Sequence, residues 1–354
     1  MAKLFENNSE RPKSSITFII GNGFDLGMGM KTGYGDIYQE YIKIPSNSNV
    51  VNMFKKDLSE RTPYDKWSDF EMGMAEYSKK FSSEAQLIEC VRDFKDYMVQ
   101  HLQSENQRIT DLIRDNSYVD SIVKELDRSL EQFHGGFSPN VMSKLHQFIK
   151  DPFAQYNIIT FNYTTVIEEL FSAKSRKHQI IMPTPIHIHG SLARDVVLGV
   201  DNIEQLNGLS YKISRKGKRA FVKPYFNEQY DTSRVSIAQK MISESSIICT
   251  YGFSMGESDK TWVNLLVDWL KMDSSHHLVV YQYDQTEYKY CHFDELMDVE
   301  EIKKEQLMQQ MEIMNDSIFD QIHIPIGYDI FNFHFEKVIP NTLQKSSYSF
   351  LETI

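Results

Sequence analysis

ITFIIGNGFDLG, residues 16–27, decides the fold. Its first half is an unbroken apolar run rich in β-branched residues. A strand covered on both faces reads this way, whereas a half-exposed strand alternates, so 16–20 reads as an interior strand of a parallel sheet. The run stops on Gly21-Asn22-Gly23, with Phe24 and Asp25 directly after. Gly21, Gly23 and Gly27 stand at G-x-G-x-x-x-G spacing, one residue longer than the dinucleotide fingerprint. Glycines permit a sharp turn and close approach of a ligand to the backbone, and N–H groups at a helix start favour a phosphate. Asp25 works against that by charge and suits ribose hydroxyls or a helix cap. The turn therefore has two readings at this point, a nucleotide-binding corner or a structural strand-to-helix corner.

Working outward, similar runs recur at 157–161 (NIITF), 196–200 (VVLGV), 246–250 (SIICT), 278–282 (LVVYQ) and 322–325 (IHIP). Helical patterns separate most of them, which predicts an α/β fold with a Rossmann-like, doubly wound parallel sheet. The interval between the first two runs exceeds a hundred residues and is largely helical by periodicity. Leu87, Val91, Phe94, Met98, Leu102, Ile109, Ile113, Ile122, Leu126 and Leu130 recur mostly at three- or four-residue steps. His134-Gly135-Gly136 closes that array, and Ser138-Pro139 reads as an N-cap followed by Pro at the first helical position. The expected organisation is a first part of the nucleotide-binding domain at 1–44, a helical insertion at 45–150, and the remainder of the domain at 151–354 with a C-terminal helical segment. The insertion suits a lid, a partner surface or an oligomer contact. Within 286–318, Met297, Met308, Met311 and Met314 lie among acidic residues, and methionines at helical spacing read first as core and second as an adaptable partner surface.

The 354 residues are 41% hydrophobic, enough for a sizeable core, and carry a formal net charge of −11. That charge argues against nucleic acid as a partner, because phosphate contacts need concentrated Lys and Arg. Cys90, Cys249 and Cys291 are odd in number and form no CxxC pair, so neither a disulfide framework nor a thiolate zinc site is expected. The opening residues are polar, and ITFII is far too short for a signal sequence or a membrane span, so a cytoplasmic protein without membrane contact is expected.

Three later stretches repeat the strand-into-turn pattern. NIITF, with Thr160 near its end, runs into Asn162-Tyr163-Thr164-Thr165, placing a carboxamide where open α/β sheets bind ligands. Thr164 or Thr165 is equally a candidate cap for the next helix. PTPIHIHGSL places His187 and His189 two apart, on one face if extended, and ends on Gly190. No further ligands complete a metal site, so His189 is the candidate for proton transfer and His187 reads as structural. SIICTY opens onto Gly252-Phe253-Ser254-Met255-Gly256, where Gly252 and Ser254 offer donors, and Ser258 or Asp259 is a candidate cap for TWVNLLVDWL. GFSMG has the G-x-S-x-G form of a hydrolase elbow, but no oxyanion HGGG-type segment precedes it. YKISRKGKRAFVKP (211–224) carries six cations and reads as a solvated loop, or as a flap bringing Lys223 or Arg219 toward ligand phosphates.

As an ordered set, IIGNGFDLGMGMKTGY, KWSDFE (66–71), TFNYT, IHIHGSL, LGVDN and YGFSMGESDK resemble the AbiH family of phage abortive-infection proteins, over about residues 16–270. That family is in turn similar to the SIR2-like NAD-binding fold. The resemblance implies NAD+ as substrate, no metal, and an anti-phage effector that hydrolyses NAD+ to nicotinamide and ADP-ribose, or else a non-catalytic NAD or ADP-ribose sensor that regulates a partner. By position it implies catalytic roles for Asn162, His189 and Asp25. It implies nucleotide contacts from Gly21, Asn22, Gly23, Phe24, Thr160, Tyr163, Gly190, Gly252 and Ser254. A homo-oligomer or a partner protein is expected to control activity. No zinc-binding cysteine pairs and no GIPDFR-like stretch are present, so protein deacylation is not expected.

Overall fold

β1 (Ser15–Ile20) is buried at every position because it is paired on both edges, with β2 (Gln155–Thr160) on one side and β4 (Ile247–Tyr251) on the other, both parallel. In the computed structural model, which describes residues 14–60, 67–115, 117–151, 154–194, 196–230, 232–256, 259–282 and 292–333, these are the middle of a six-stranded sheet. β3 (Ile186–His187) flanks β2, while β5 (His277–Tyr281) and β6 (Ile322–His323) extend the sheet beyond β4, giving the order β3-β2-β1-β4-β5-β6. All pairings are parallel. This is the Rossmann order, and its switch point lies between β1 and β4, so their two carboxyl-end turns face one crevice.

Between β1 and β2 the chain forms α1 (Gly23–Gly27), α2 (Tyr34–Tyr41), α3 (Asn49–Glu60), α4 (Trp67–Ser78), α5 (Glu84–Arg114), α6 (Val119–Glu131) and α7 (Pro139–Ile149). The periodic residues behave as their spacing predicts, since Leu87, Val91, Phe94, Met98, Leu102, Ile109 and Ile113 form the buried stripe of α5. Ser138 caps α7, its hydroxyl accepting from the Val141 N–H with Pro139 at the first helical position. After β2 come α8 (Val166–His178), α9 (Arg215–Phe221), α10 (Lys223–Tyr230) and α11 (Thr232–Ser243), then α12 (Lys260–Met272) between β4 and β5 and α13 (Phe293–Gln310) before β6.

The helices between β1 and β2 join two cores. Ile122, Leu126 and Leu145 pack under the sheet with Ile16 and Phe18, whereas Tyr34 stacks on Phe70, Phe94 lies tilted against both, and the three pack with Val196, Leu198 and Phe221. The run 196–200 is thus a buried loop and not a sheet strand; its one ladder contact is an isolated bridge from Val200 to Val222. Gly199 explains why: it sits at φ +147°, a Cβ there would lie 2.2 Å from the Phe221 carbonyl oxygen, and its N–H goes to Glu71. A short apolar run bounded by Gly does not by itself separate a strand from a buried loop. The 211–224 stretch is likewise not a flap, because 215–221 is helical and Lys223 is buried. The Met-rich stretch divides, with Met308 and Met311 in the core and Met297 and Met314 exposed. Residues 286–291 with Cys291, the opening residues 1–13, and Ser258 lie outside the described residues. Among the described residues no helix is long and apolar enough to cross a membrane.

Candidate functional site

The turns after β1 and β4 lock together backbone to backbone. The Gly21 N–H donates to the Tyr251 carbonyl at 2.9 Å and the Gly23 N–H to the Gly252 carbonyl at 3.0 Å. A Cβ on Gly21 would fall 2.4 Å from Gly252 O, and one on Gly23 would fall 2.5 Å from Gly252 Cα. The glycines are therefore required for the approach of one turn to the other. Their amides are engaged with β4, which removes the two donors the sequence offered to a phosphate.

Beside this seam opens a cleft of about 550 Å³, within the range of small-molecule sites. Of the site residues expected from sequence, Gly21, Asn22, Gly23, Asp25, Asn162, Tyr163, His189, Gly252 and Ser254 line it. Phe24, Thr160 and Gly190 are not on its wall. Phe24 points into the core against Tyr251 and Phe331; the Thr160 hydroxyl accepts the Asn162 N–H; and Gly190 is a buried left-handed turn residue at φ +74°. Of the three, Thr160 holds a wall residue, Asn162.

Asp25 is 2% exposed, and both its oxygens accept hydrogen bonds, from Asn162 Nδ2 at 3.1 Å and from the Thr164 hydroxyl at 2.8 Å. Burial pushes its carboxyl from 3.8 up to about 7, against the lowering effect of the Thr164 and Asn162 bonds. It does not cap α1, and of the two cap candidates for α8 Thr165, not Thr164, holds the N-cap position, without a side-chain cap bond. The Thr165 N–H is met instead by Asn106 Oδ1 from α5 at 2.7 Å.

Asn162 is held at three of its four polar groups. Its N–H goes to Thr160, its carbonyl meets His187 Nδ1 at 2.8 Å, and its Nδ2 goes to Asp25. Its Oδ1 is buried without a hydrogen-bond partner. An orphaned buried acceptor costs roughly 1–3 kcal/mol, so a ligand donor that reaches it is rewarded. His187, read as structural from sequence, holds this carbonyl while its Nε2 meets Glu168 at 2.5 Å.

His187 and His189 do not share a site, because β3 ends at His187 and the chain turns before His189. His189 Nε2 lies 3.2 Å from Asp259 Oδ1, and its ring stands edge-on to Phe161, which itself stacks on Phe253. Asp259 also lies 3.3 Å from Lys223 Nζ, which pairs with Glu71 at 2.9 Å. Burial alone would raise the Asp259 carboxyl, but the Lys223 ammonium and His189 hold it well below the usual range. Lys223 is correspondingly held above its ordinary value, the nearby carboxylates outweighing burial. Asp259 stands at the N-cap position of α12, as one of the two expected candidates, but its side chain makes no cap bond; Asp201 accepts the Thr261 N–H and hydroxyl there instead.

Sequence reasoning gave no role to Glu71, read Thr164 and Asp259 only as candidate caps and Lys223 only as a loop or flap cation, and so missed the bond from Thr164 to Asp25 and the pairing of Asp259 with Lys223 and His189. Glu71 closes KWSDFE and Asp259 closes GESD, so position within a motif was the available signal. Among the described residues no three His, Cys, Asp or Glu side chains are grouped to hold a metal ion.

A family model described as bacteriophage abortive infection AbiH matches residues 17–281, three quarters of the chain. The chain belongs to the AbiH family. It is therefore a phage abortive-infection protein, and the matched span begins in β1 and ends in β5, so it includes each cleft residue named above, though not Gln282, Leu307 and Gln310, which complete the lining. No curated protein matches this AbiH chain.

Proposed function

We propose that this AbiH protein is an anti-phage effector whose switch-point cleft hydrolyses NAD+ to nicotinamide and ADP-ribose, on a SIR2-like variant of the Rossmann order. The observation that carries this reading is Asp25, an acid held near neutrality by burial and fixed beside Asn162 with its unpartnered Oδ1. A general base works best with a pKa near the working pH. In the reaction the C1′–N bond breaks, its electron pair passes to the pyridinium nitrogen, and neutral nicotinamide leaves. The ribosyl cation takes oxygen from water, and the water's proton passes to the Asp25 carboxylate. Before that transfer the same carboxylate stabilises the positive charge gathering on the ribose. Asn162 Oδ1 orients a water or ribose hydroxyl. His189, held through Asp259, is a second acceptor for that proton, and Asn22, tied to the Thr32 carbonyl through Nδ2, contributes its amide oxygen to the ribose or carboxamide.

Nicotinamide release from NAD+ by purified protein, alone and with infected-cell extract, tests the reading. Asn162→Ala and His189→Ala are expected to lower the rate about a hundredfold or more. Full activity in both variants refutes the assignment. A second reading, a sensor that binds NAD+ or ADP-ribose and switches a partner, draws on the fixed position of Asp25 between Asn162 and Thr164, which serves binding as well as chemistry. Saturable binding with NAD+ unchanged after prolonged incubation in infected-cell extract would favour it.

A further inference from the structure

We propose that the cleft recognises the cationic nicotinamide riboside end of its ligand and leaves phosphates outside, so that its substrate class is pyridinium ribosides with or without phosphate. This rests on the NAD+ cleavage reading above and defines what that site selects. Among the described residues on the wall, three carboxyl side chains, Asp25, Glu71 and Asp259, accompany one ammonium, Lys223, and one imidazole, His189, which is held against Asp259. Lys223 is paired with Glu71 and Asp259, so its charge is compensated within the wall. A pyrophosphate placed there meets no uncompensated ammonium and, once Asp25 is ionised, an added negative charge at short range, where screening by salt is weak.

The backbone points the same way. The Gly21 and Gly23 amides, which a phosphate-binding glycine turn would present, donate to β4 carbonyls. The donors nearest Asp25, Asn162 Nδ2 and the Thr164 hydroxyl, are spent on it, which leaves as acceptors its carboxyl oxygens and the unpartnered Asn162 Oδ1. Phosphate oxygens are themselves acceptors and find no complement in them, whereas ribose hydroxyls and the carboxamide NH2 are donors. A pyridinium ring adds a positive charge opposite Asp25. Phe161 and Phe253, stacked with centroids 4.5 Å apart on the same wall, supply a flat apolar surface for that ring. The bond changes are those of the NAD+ reaction: the C1′–N pair goes to the ring nitrogen, water oxygen bonds to C1′, and one water proton goes to Asp25.

Ligand-observed NMR at fixed ionic strength with nicotinamide riboside, nicotinamide mononucleotide, NAD+ and ADP-ribose tests the proposal, with nicotinamide release measured in parallel. Nicotinamide riboside is expected to bind within tenfold of NAD+ and at least tenfold more tightly than ADP-ribose, and Asp25→Asn is expected to weaken its binding at pH 8 at least tenfold. ADP-ribose binding as tightly as the riboside, or NAD+ binding without the riboside, overturns the proposal. Riboside binding with no nicotinamide release from any compound leaves recognition standing and refutes hydrolysis alone. Binding of none of the four refutes both.

Discussion

Replacing Asp25 by Asn is expected to make the protein more stable while impairing the site. In the unfolded chain this carboxyl ionises at its ordinary 3.8, and in the fold at about 7. The folded chain therefore binds the proton more tightly, and stability falls as pH rises from about 4 to about 7 and is level above. Each pH unit of difference corresponds to about 1.4 kcal/mol, so ionised Asp25 destabilises the fold by about 4 kcal/mol above pH 7. Asn at this position can keep both bonds, its oxygen accepting from Asn162 Nδ2 and its amide donating to the Thr164 hydroxyl. Urea unfolding of both proteins by tryptophan fluorescence, at constant ionic strength, reads the difference. Asp25→Asn should exceed wild type by about 4 kcal/mol at pH 8, with more than half of that gap gone by pH 5. A gap below about 1 kcal/mol at pH 8, or one of equal size at both pH values, would refute the account of Asp25 as a buried acid whose ionisation the fold opposes. Such strain at a site is the common cost of holding a reactive group in place.

The glycine seam is tested by Gly252→Ala, where a left-handed φ of +63° combines with a Cβ 2.6 Å from Gly23 Cα. A loss of about 2–5 kcal/mol is expected from urea unfolding, whereas Gly35→Ala in α2, where nothing lies within 4 Å, should be neutral or gain up to about 1 kcal/mol. At the far end of the sheet His277 and His323 meet at 3.1 Å; burial first, then Lys144 and His276, lower His277 to about 4, and burial first, then His277 with Lys304 and Lys144, lowers His323 to about 2. Because the unfolded histidines take up protons near 6.5 while the folded pair does not, stability falls as pH drops below that value. His323→Leu should remove about 2 kcal/mol of the loss between pH 7 and pH 5, and an unchanged pH dependence would count against this.

How far the sequence reached differs by element. The continuous apolar runs at 16–20, 157–161, 246–250 and 278–282 marked interior strands because full burial on both faces suppresses alternation. VVLGV at 196–200 has the same local pattern but is buried by helices, and only the position of Gly199 against Phe221 makes it a loop. The site is legible in part for a similar reason. Strand ends and their turn residues Gly21, Asn22, Asn162, His189 and Gly252 stand out because turns demand particular residue types.

By itself, then, the sequence determined the α/β class, the parallel interior strands, the buried stripe of α5 and the list of chain segments that meet at the carboxyl edge of the sheet. These follow from short-range periodicity and turn chemistry. The tertiary structure alone decided that Gly21 and Gly23 face β4 and not a phosphate, that Asp25 is buried between Asn162 and Thr164, and that Lys223 is neutralised by Glu71 and Asp259. Each of those depends on groups more than a hundred residues apart, or on which partner outcompetes water for a charge, and neither is written in local spacing.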